Sequence, residues 1–313
     1  MHCNACKARL AAGCLVAVLP FAALAQAPPP TTPGEVRIVD DTGAPAIFMP
    51  ELEAALARAR WERVATAATT NARIDVGIVF HVLSGPLGEG DLDDELVARQ
   101  LAVVNDAFDA AGFRFVVAAV RRYPDSPYFA GGCFPTTESG LRMKAELAVE
   151  PKRFVNVYSC RLALPYIAGY GTLPNEFAED DPRHGVVIDH ASVPGSPAPL
   201  SLGHTLVHEL GHYFGLLHTF QGGCVAPGDE VADTPAEAIA GFGCATGRDS
   251  CPQDDGDDPV ENFMDYSDDA CTNHFTPQQG ERMRALAAIY RPGLVTPVDA
   301  PTPPRAHSSH RRP

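Results

Sequence analysis

Apolar positions along this chain fall into two rhythms. Ile74-Asp75-Val76-Gly77-Ile78-Val79-Phe80-His81-Val82 is β-branched and nearly all apolar, which predicts a strand. From Asp91 to Ala111, Leu92, Leu96, Leu101, Val104 and Phe108 recur at helical spacing, with Asp91 or Asp93 as cap and Gly112 as stop. Phe113 to Val120 predicts a second strand, residues 139–148 a short helix, and Phe154 to Tyr158 a third strand. Gly169 to Leu173 reads as an exposed edge strand and Val186 to Ile188 as a further one. Leu202, Leu206, Leu210 and Phe214 mark the buried stripe of a helix over 201–214. Residues 219–262 follow neither rhythm and are rich in Gly, Pro and Asp; a loop this long usually carries a function or a covalent staple. A closing helix runs from Thr276 to Tyr290, with Met283, Leu286, Ala287 and Ile289 inward. Helices interleaved with strands in this way predict a mixed α/β (α+β) fold with a twisted sheet and a smaller irregular C-terminal subdomain.

Ahead of these elements the pattern changes. Lys7 and Arg9 make a basic start, Leu10 to Leu24 is apolar, and Ala23-Leu24-Ala25 offers the small residues of a signal-peptide cleavage site. Residues 1–25 are expected to direct export to the periplasm or beyond; the apolar run is too short for a membrane anchor. Residues 26–34 form a proline-rich linker and 51–68 a helix rich in Ala, Glu, Leu and Arg. Together, 26–70 reads as linker and pro-segment, with Arg60, Arg63 and Arg73 as candidate activation cuts. Residues 71–293 are left as the main domain and 294–313 as a disordered tail rich in Pro and Arg.

The 313 residues carry a net charge of −15 and are 45% hydrophobic, a globular content whose acidity argues against nucleic acid and anionic membranes as partners. Cys3, Cys6 and Cys14 would leave with the signal. Cys133, Cys160, Cys224, Cys244, Cys251 and Cys271 remain, and an even number in an exported chain reads as three disulfides. A zinc site built from them is disfavoured, because none form a Cys-x-x-Cys pair.

The candidate chemistry lies in His208-Glu209-Leu210-Gly211-His212, with His218 six positions on. Histidines four apart share one face of a helix and can grip one zinc ion. Glu209 sits about 100° round the helix from His208, within reach of a water on the metal. Gly215 lets the chain leave the helix so that His218 returns as third ligand, leaving the fourth position open, as in catalytic zinc sites. A plain core helix would not need three histidines and a glutamate on its polar side. Gly169, Tyr170, Gly171 and Thr172 are candidates for holding substrate backbone as an added strand. Asn262-Phe263-Met264-Asp265-Tyr266 places a methionine in a tight turn 46 positions after His218, a second hallmark of metzincin peptidases.

With these motifs, and with Thr219-Phe220, Val231 to Pro235, Gly243-Cys244 to Cys251-Pro252, Asn262 to Cys271 and Phe275-Thr276-Pro277, the chain resembles the pappalysin family of metzincin zinc metallopeptidases. The likeness runs from about Ile74 to Arg291. It implies a metzincin fold: a mostly parallel twisted sheet with an antiparallel edge strand above an active-site helix, and substrate in the cleft beside an irregular subdomain. It implies a secreted zinc endopeptidase acting on proteins or peptides. His208, His212 and His218 would be its zinc ligands, Glu209 its general base, Met264 its Met-turn residue, and Tyr266 the phenol that stabilises the oxyanion. It further implies disulfides Cys224–Cys251 and Cys244–Cys271, leaving Cys133–Cys160, and calcium in the loop after the helix, where Asp229, Asp233 and Thr234 offer hard oxygens. Asp268 and Asp269 would lie near the primed-side pocket and favour Arg or Lys after the cut bond. The departure from the family is a pro-segment without a cysteine to cap the zinc; Asp40 or Asp41 is the candidate substitute.

Two other readings stand beside this one: a zinc-stabilised binding or adhesion protein without catalysis, and a narrow processing protease for one partner. Intact Glu209 and Tyr266 speak against the first. His81, His184, His190, His204 and His274 are read as structural or surface residues.

Overall fold

The computed structural model describes residues 38–39, 45–46, 73–134, 137–162, 167–196, 200 and 202–295. The signal and linker segments, the helix expected over 51–68, Asp40, Asp41, Arg60, Arg63 and the tail beyond 295 lie outside the described residues. Strands β1 (Ile38–Val39) and β2 (Pro45–Ala46) pair antiparallel. The main sheet uses β3 (Ile74–Leu83), β4 (Phe113–Tyr123), β5 (Phe154–Cys160), β6 (Gly169–Gly171) and β7 (Val186–Asp189). Its order is β4-β3-β5-β7-β6. The β3–β4, β3–β5 and β5–β7 ladders are parallel, and β6 closes one edge antiparallel to β7.

Alternation along the central strands divides the core into two layers. Val76, Ile78, Phe80 and Val82 of β3, Val155 and Val157 of β5, and Val186 and Ile188 of β7 enter the larger cluster. Leu83, Tyr158, Cys160 and Val187 belong to the second, with Cys133 and Met143. Helix α1 (Asp94–Phe108) covers the larger layer; the side chain of Asp93 accepts the Leu96 N–H at its start, and Val97, Val104 and Phe108 are buried. Helix α2 (Glu138–Leu147) supplies Met143 to the smaller layer. No helix among the described residues is long and apolar enough to cross a membrane.

Helix α3 (His204–Tyr213) lies on the larger layer and buries Leu206, Val207, Leu210 and Tyr213. It starts later than the apolar stripe suggests. Gly203 turns left-handed (φ +85°), so Leu202 precedes the helix and is 46% exposed instead of facing the core. Beyond α3 no regular helix or strand is formed among the described residues until α4 (Pro277–Tyr290), followed by the short α5 (Pro292–Val295). Thr276 and Gln279 form a reciprocal capping box, with Pro277 just inside the helix. Met283, Ala285 and Ala287 face inward, whereas Ile289, expected in the core, is exposed near the helix end.

Disulfides join Cys133 to Cys160, Cys224 to Cys251 and Cys244 to Cys271. The first ties β5 to the loop before α2. The other two overlap in sequence and hold the irregular segment together. Such loops stabilise by roughly 3–4 kcal/mol each in the chain-entropy picture.

Strand β6 packs against α3 because it has almost no side chain there. A Cβ at Gly171 would collide with the carbonyl oxygen of Glu209, and one at Gly169 would lie 2.8 Å from Glu209 Cγ. Gly171→Ala is therefore expected to push the edge strand off the helix. Overpacking of this kind costs about 1–3 kcal/mol, and a thermal unfolding midpoint equal to wild type would show the contact to be slack.

Candidate active site

Helix α3 presents His208 and His212 one turn apart, and the chain brings His218 back against them. The three Nε2 atoms lie 3.1, 3.0 and 3.2 Å from one another. Two of the rings are turned by backbone carbonyls: His208 Nδ1 is 2.6 Å from the Phe263 oxygen, and His212 Nδ1 is 2.8 Å from that of Leu216. A carbonyl only accepts, so both Nδ1 atoms carry the hydrogen, and both Nε2 atoms turn bare lone pairs to the centre. Burial, and for each the charge a neighbouring histidine would carry, push the His208 imidazole down to about 3 and that of His218 well below its ordinary value. Those two rings are thus held neutral, the ligating form.

Lone pairs converging without a proton between them repel unless a cation sits among them. Tetrahedral zinc with bonds of about 2.0–2.1 Å would separate its ligands by roughly 3.3 Å, close to the spacing found. The all-imidazole donor set suits that ion. Among the described residues this is the one group of three or more His, Cys, Asp or Glu side chains close enough to share a metal. His81, His184 and His204 make side-chain contacts elsewhere, with Asn156, Thr172 and Thr272 respectively.

Met264 is fully buried beneath the helix, and a Cβ at Gly211 would lie 2.5 Å from its sulfur. The small residue between the two helical histidines is what admits the methionine. The turn is braced from behind. Asn262 and Gln279 exchange side-chain amide bonds of 2.8 and 3.1 Å, and the Asn262 oxygen also accepts the Met264 N–H. Tyr266 stands 45% exposed, its ring 4.8 Å from that of His218 and 5.8 Å from that of His208. Glu209 is buried against Gly169.

Other expected site residues have structural partners. The Tyr170 phenol donates to the Cys133 carbonyl at 3.3 Å, and Thr172 is buried, its hydroxyl accepting the Gly185 N–H. Asp269 is buried, and one of its oxygens accepts the N–H groups of Leu202, Gly203 and His204, capping α3 from a distant segment and complementing the positive end of the helix dipole. Asp268 is partly exposed. Asp233 accepts from the Thr276 hydroxyl and the Gln278 N–H at the start of α4, while Asp229 accepts from Thr234 and the Val231 N–H.

Periodicity says nothing of Phe220, Phe242 or Glu237. Phe220 stacks on His218 at 4.7 Å, and Phe242 stands by Tyr266. Glu237 is wholly buried; it accepts the Thr219 hydroxyl at 2.8 Å and pairs with Arg248, which also pairs with Asp258. Two glycines flanking Phe242, and a glutamate in the otherwise unpatterned stretch, were the available signals.

Burial pushes the Glu237 carboxyl up to about 7. The folded chain then holds this proton more tightly than the unfolded one, so its contribution to stability falls as pH rises from the ordinary carboxylate range to about 7. Glu237→Gln keeps an acceptor for Thr219 and removes that slope. Between pH 5 and 8 the variant should gain on wild type by on the order of 2 kcal/mol in urea unfolding; parallel stability curves would refute the assignment.

Residues 142–288 match the peptidase M43 family, described as pregnancy-associated plasma protein-A. An extracellular metalloprotease of Verticillium alfalfae is 38% identical over 230 residues, covering 71% of this chain and 79% of the relative. One from Pyricularia oryzae is 38% identical over 250 residues, covering 78% and 86%. Among solved structures, Tannerella forsythia mature mirolysin in complex with a cleaved peptide superposes with a TM-score of 0.60 at 25% identity, over 72% of this chain and 99% of that one. T. forsythia promirolysin shares the fold, with a TM-score of 0.63 at 24% identity over 80% and 96%. This chain belongs to the pappalysin family, peptidase M43, of zinc metallopeptidases.

Proposed function

We propose that the protein is exported and hydrolyses internal peptide bonds of protein substrates, with His208, His212 and His218 holding zinc and Glu209 as general base. The observation that carries this reading is the meeting of three imidazole nitrogens, with Glu209 next to His208 on the same helix. When bound, zinc supplies a Lewis acid that acidifies water and polarises a carbonyl. Glu209 takes the proton of the attacking water and returns it to the leaving amine, a role worth roughly 10²–10⁴ in rate. The Tyr266 phenol donates to the oxygen on which charge develops. Strand β6, at the sheet edge over Glu209, offers its backbone to an extended peptide. The cleaved peptide held by mature mirolysin is a precedent for such a ligand on this fold. Export rests on the signal-like residues 1–25 and on relatives named extracellular; residues 26–70 act as linker and pro-segment and 71–293 as the catalytic domain.

A casein or gelatin assay tests this directly. Chelation should abolish cleavage and added zinc restore it. Glu209→Gln should retain zinc and lose about 10²–10⁴ in kcat, and Tyr266→Phe roughly 10². Full activity of zinc-loaded Glu209→Gln would overturn the role of Glu209 as base, and zinc-loaded wild type that cuts neither these proteins nor any peptide of a mixed pool would leave the binding-protein reading in its place.

Calcium is the second part of the proposal, and Asp229 carries it. Its buried carboxyl is pushed up to about 6 by desolvation, a burden that a neighbouring cation relieves. Asp233 already caps α4, so it would serve calcium only by sharing its oxygens. Calcium should raise the unfolding midpoint of wild type and leave Asp229→Asn unmoved; identical responses of the two proteins would remove the claim.

A further inference from the structure

Phe242 is unusual for an aromatic residue in a stapled loop. Its side chain is 73% exposed, yet its backbone is pinned on both sides. The Gly241 N–H donates to Asp265 Oδ1 at 2.8 Å, and the Asp268 N–H donates to the Gly243 carbonyl at 3.0 Å. Cys244, the next residue, is bonded to Cys271. A Cβ at Gly241 would collide with the Asp265 carboxylate, so only glycine permits this approach. The segment that carries Phe242 is thereby stitched to the turn that carries Met264 and Tyr266.

The exposed ring also has a definite place. It lies 6.3 Å from the ring of Tyr266; Tyr266 lies 4.9 Å from Phe220, and Phe220 stacks on His218 at 4.7 Å. An aromatic row thus runs from solvent to one of the metal-binding imidazoles. Exposed apolar surface held rigid is disfavoured in a protein alone and is the usual anchor of a recognition site. Holding the ring in place beforehand spares the ordering cost on binding.

We infer that Phe242, with Tyr266, forms the wall of a subsite that receives a large apolar side chain of the peptide substrate next to the cut bond. The inference rests on the peptidase reading above and deepens it. At this subsite it assigns preference to shape and apolar contact; of the two carboxylates expected to favour a basic residue, Asp269 is engaged at the start of α3. One or two buried methylenes change kcat/KM by ten- to a few hundredfold, so a preference of at least tenfold for Phe, Tyr, Leu or Met over Gly or Asp is expected at one flanking position.

A mixed peptide pool, with cut sites read by mass spectrometry, tests this on wild type, Phe242→Ala and Phe242→Leu. Phe242→Ala should lose about tenfold in kcat/KM on peptides with the large apolar residue, stay within twofold on those with a small one, and keep its unfolding midpoint. Phe242→Leu should recover most of the loss. Equal losses on all peptides, or a wild-type profile without apolar preference at any flanking position, would overturn the subsite. A separate readout is peptide affinity of the Glu209→Gln protein, with and without Phe242→Ala. Failure of wild type to cut any peptide would overturn the peptidase reading, while an affinity for apolar over small-residue peptides that ignores Phe242→Ala would overturn the subsite alone.

Discussion

The centre of this molecule holds three imidazole nitrogens within about 3 Å of one another, at least two of them unprotonated. Left alone, that arrangement is unfavourable: the lone pairs repel, and burial removes the water that would otherwise satisfy them. The surrounding chain over-determines it. Two carbonyls orient two of the rings, a methionine fills the space that Gly211 leaves, and an amide pair locks the turn beneath. These supports come from the turn at residues 262–264, from Leu216 just past the helix, and from Gln279 of α4. The site is therefore a property of the whole folded domain and not of its motif.

How much of this could be read beforehand depended on distance along the chain. The five main strands and four of the helices follow from local periodicity, and their observed limits lie within a few residues of those expected. The three histidines were legible for the same reason: the 3.6-residue repeat brings two together, and Gly215, at φ +100°, returns the third. The pattern failed where the deciding contact is remote or lacks a period. Leu202 fitted the apolar stripe, but Gly203 breaks the helix before it. Asp269 caps a helix that starts more than sixty residues before it, and nothing near it in sequence reveals this contact. Phe242 and Glu237 sit in an unpatterned stretch, where exposure of the one and burial of the other depend on tertiary contacts.

That stretch shows how a segment without regular structure becomes rigid enough to flank a reaction. Its ordering uses buried polar pairs. Glu237, Arg248 and Asp258 form one chain of charges, and Asp265 accepts from both Gly241 and Ser267. Burying such groups costs more than burying apolar ones, and the cost is offset only when their partners are complete. Glu237 reaches Thr219, next to the third histidine, so the same network that orders the loop also supports the histidine cluster.

The two disulfides of this segment have a topological consequence. Cys224–Cys251 and Cys244–Cys271 interlace, so together they span every bond from residue 224 to 271. A single nick anywhere in that span leaves the two fragments covalently tethered; where it falls before residue 264, the histidines are on one and Met264 and Tyr266 on the other. For an enzyme that severs polypeptides among molecules of its own kind, the least regular part of its fold is thus the part where one stray self-inflicted cut cannot make the halves drift apart.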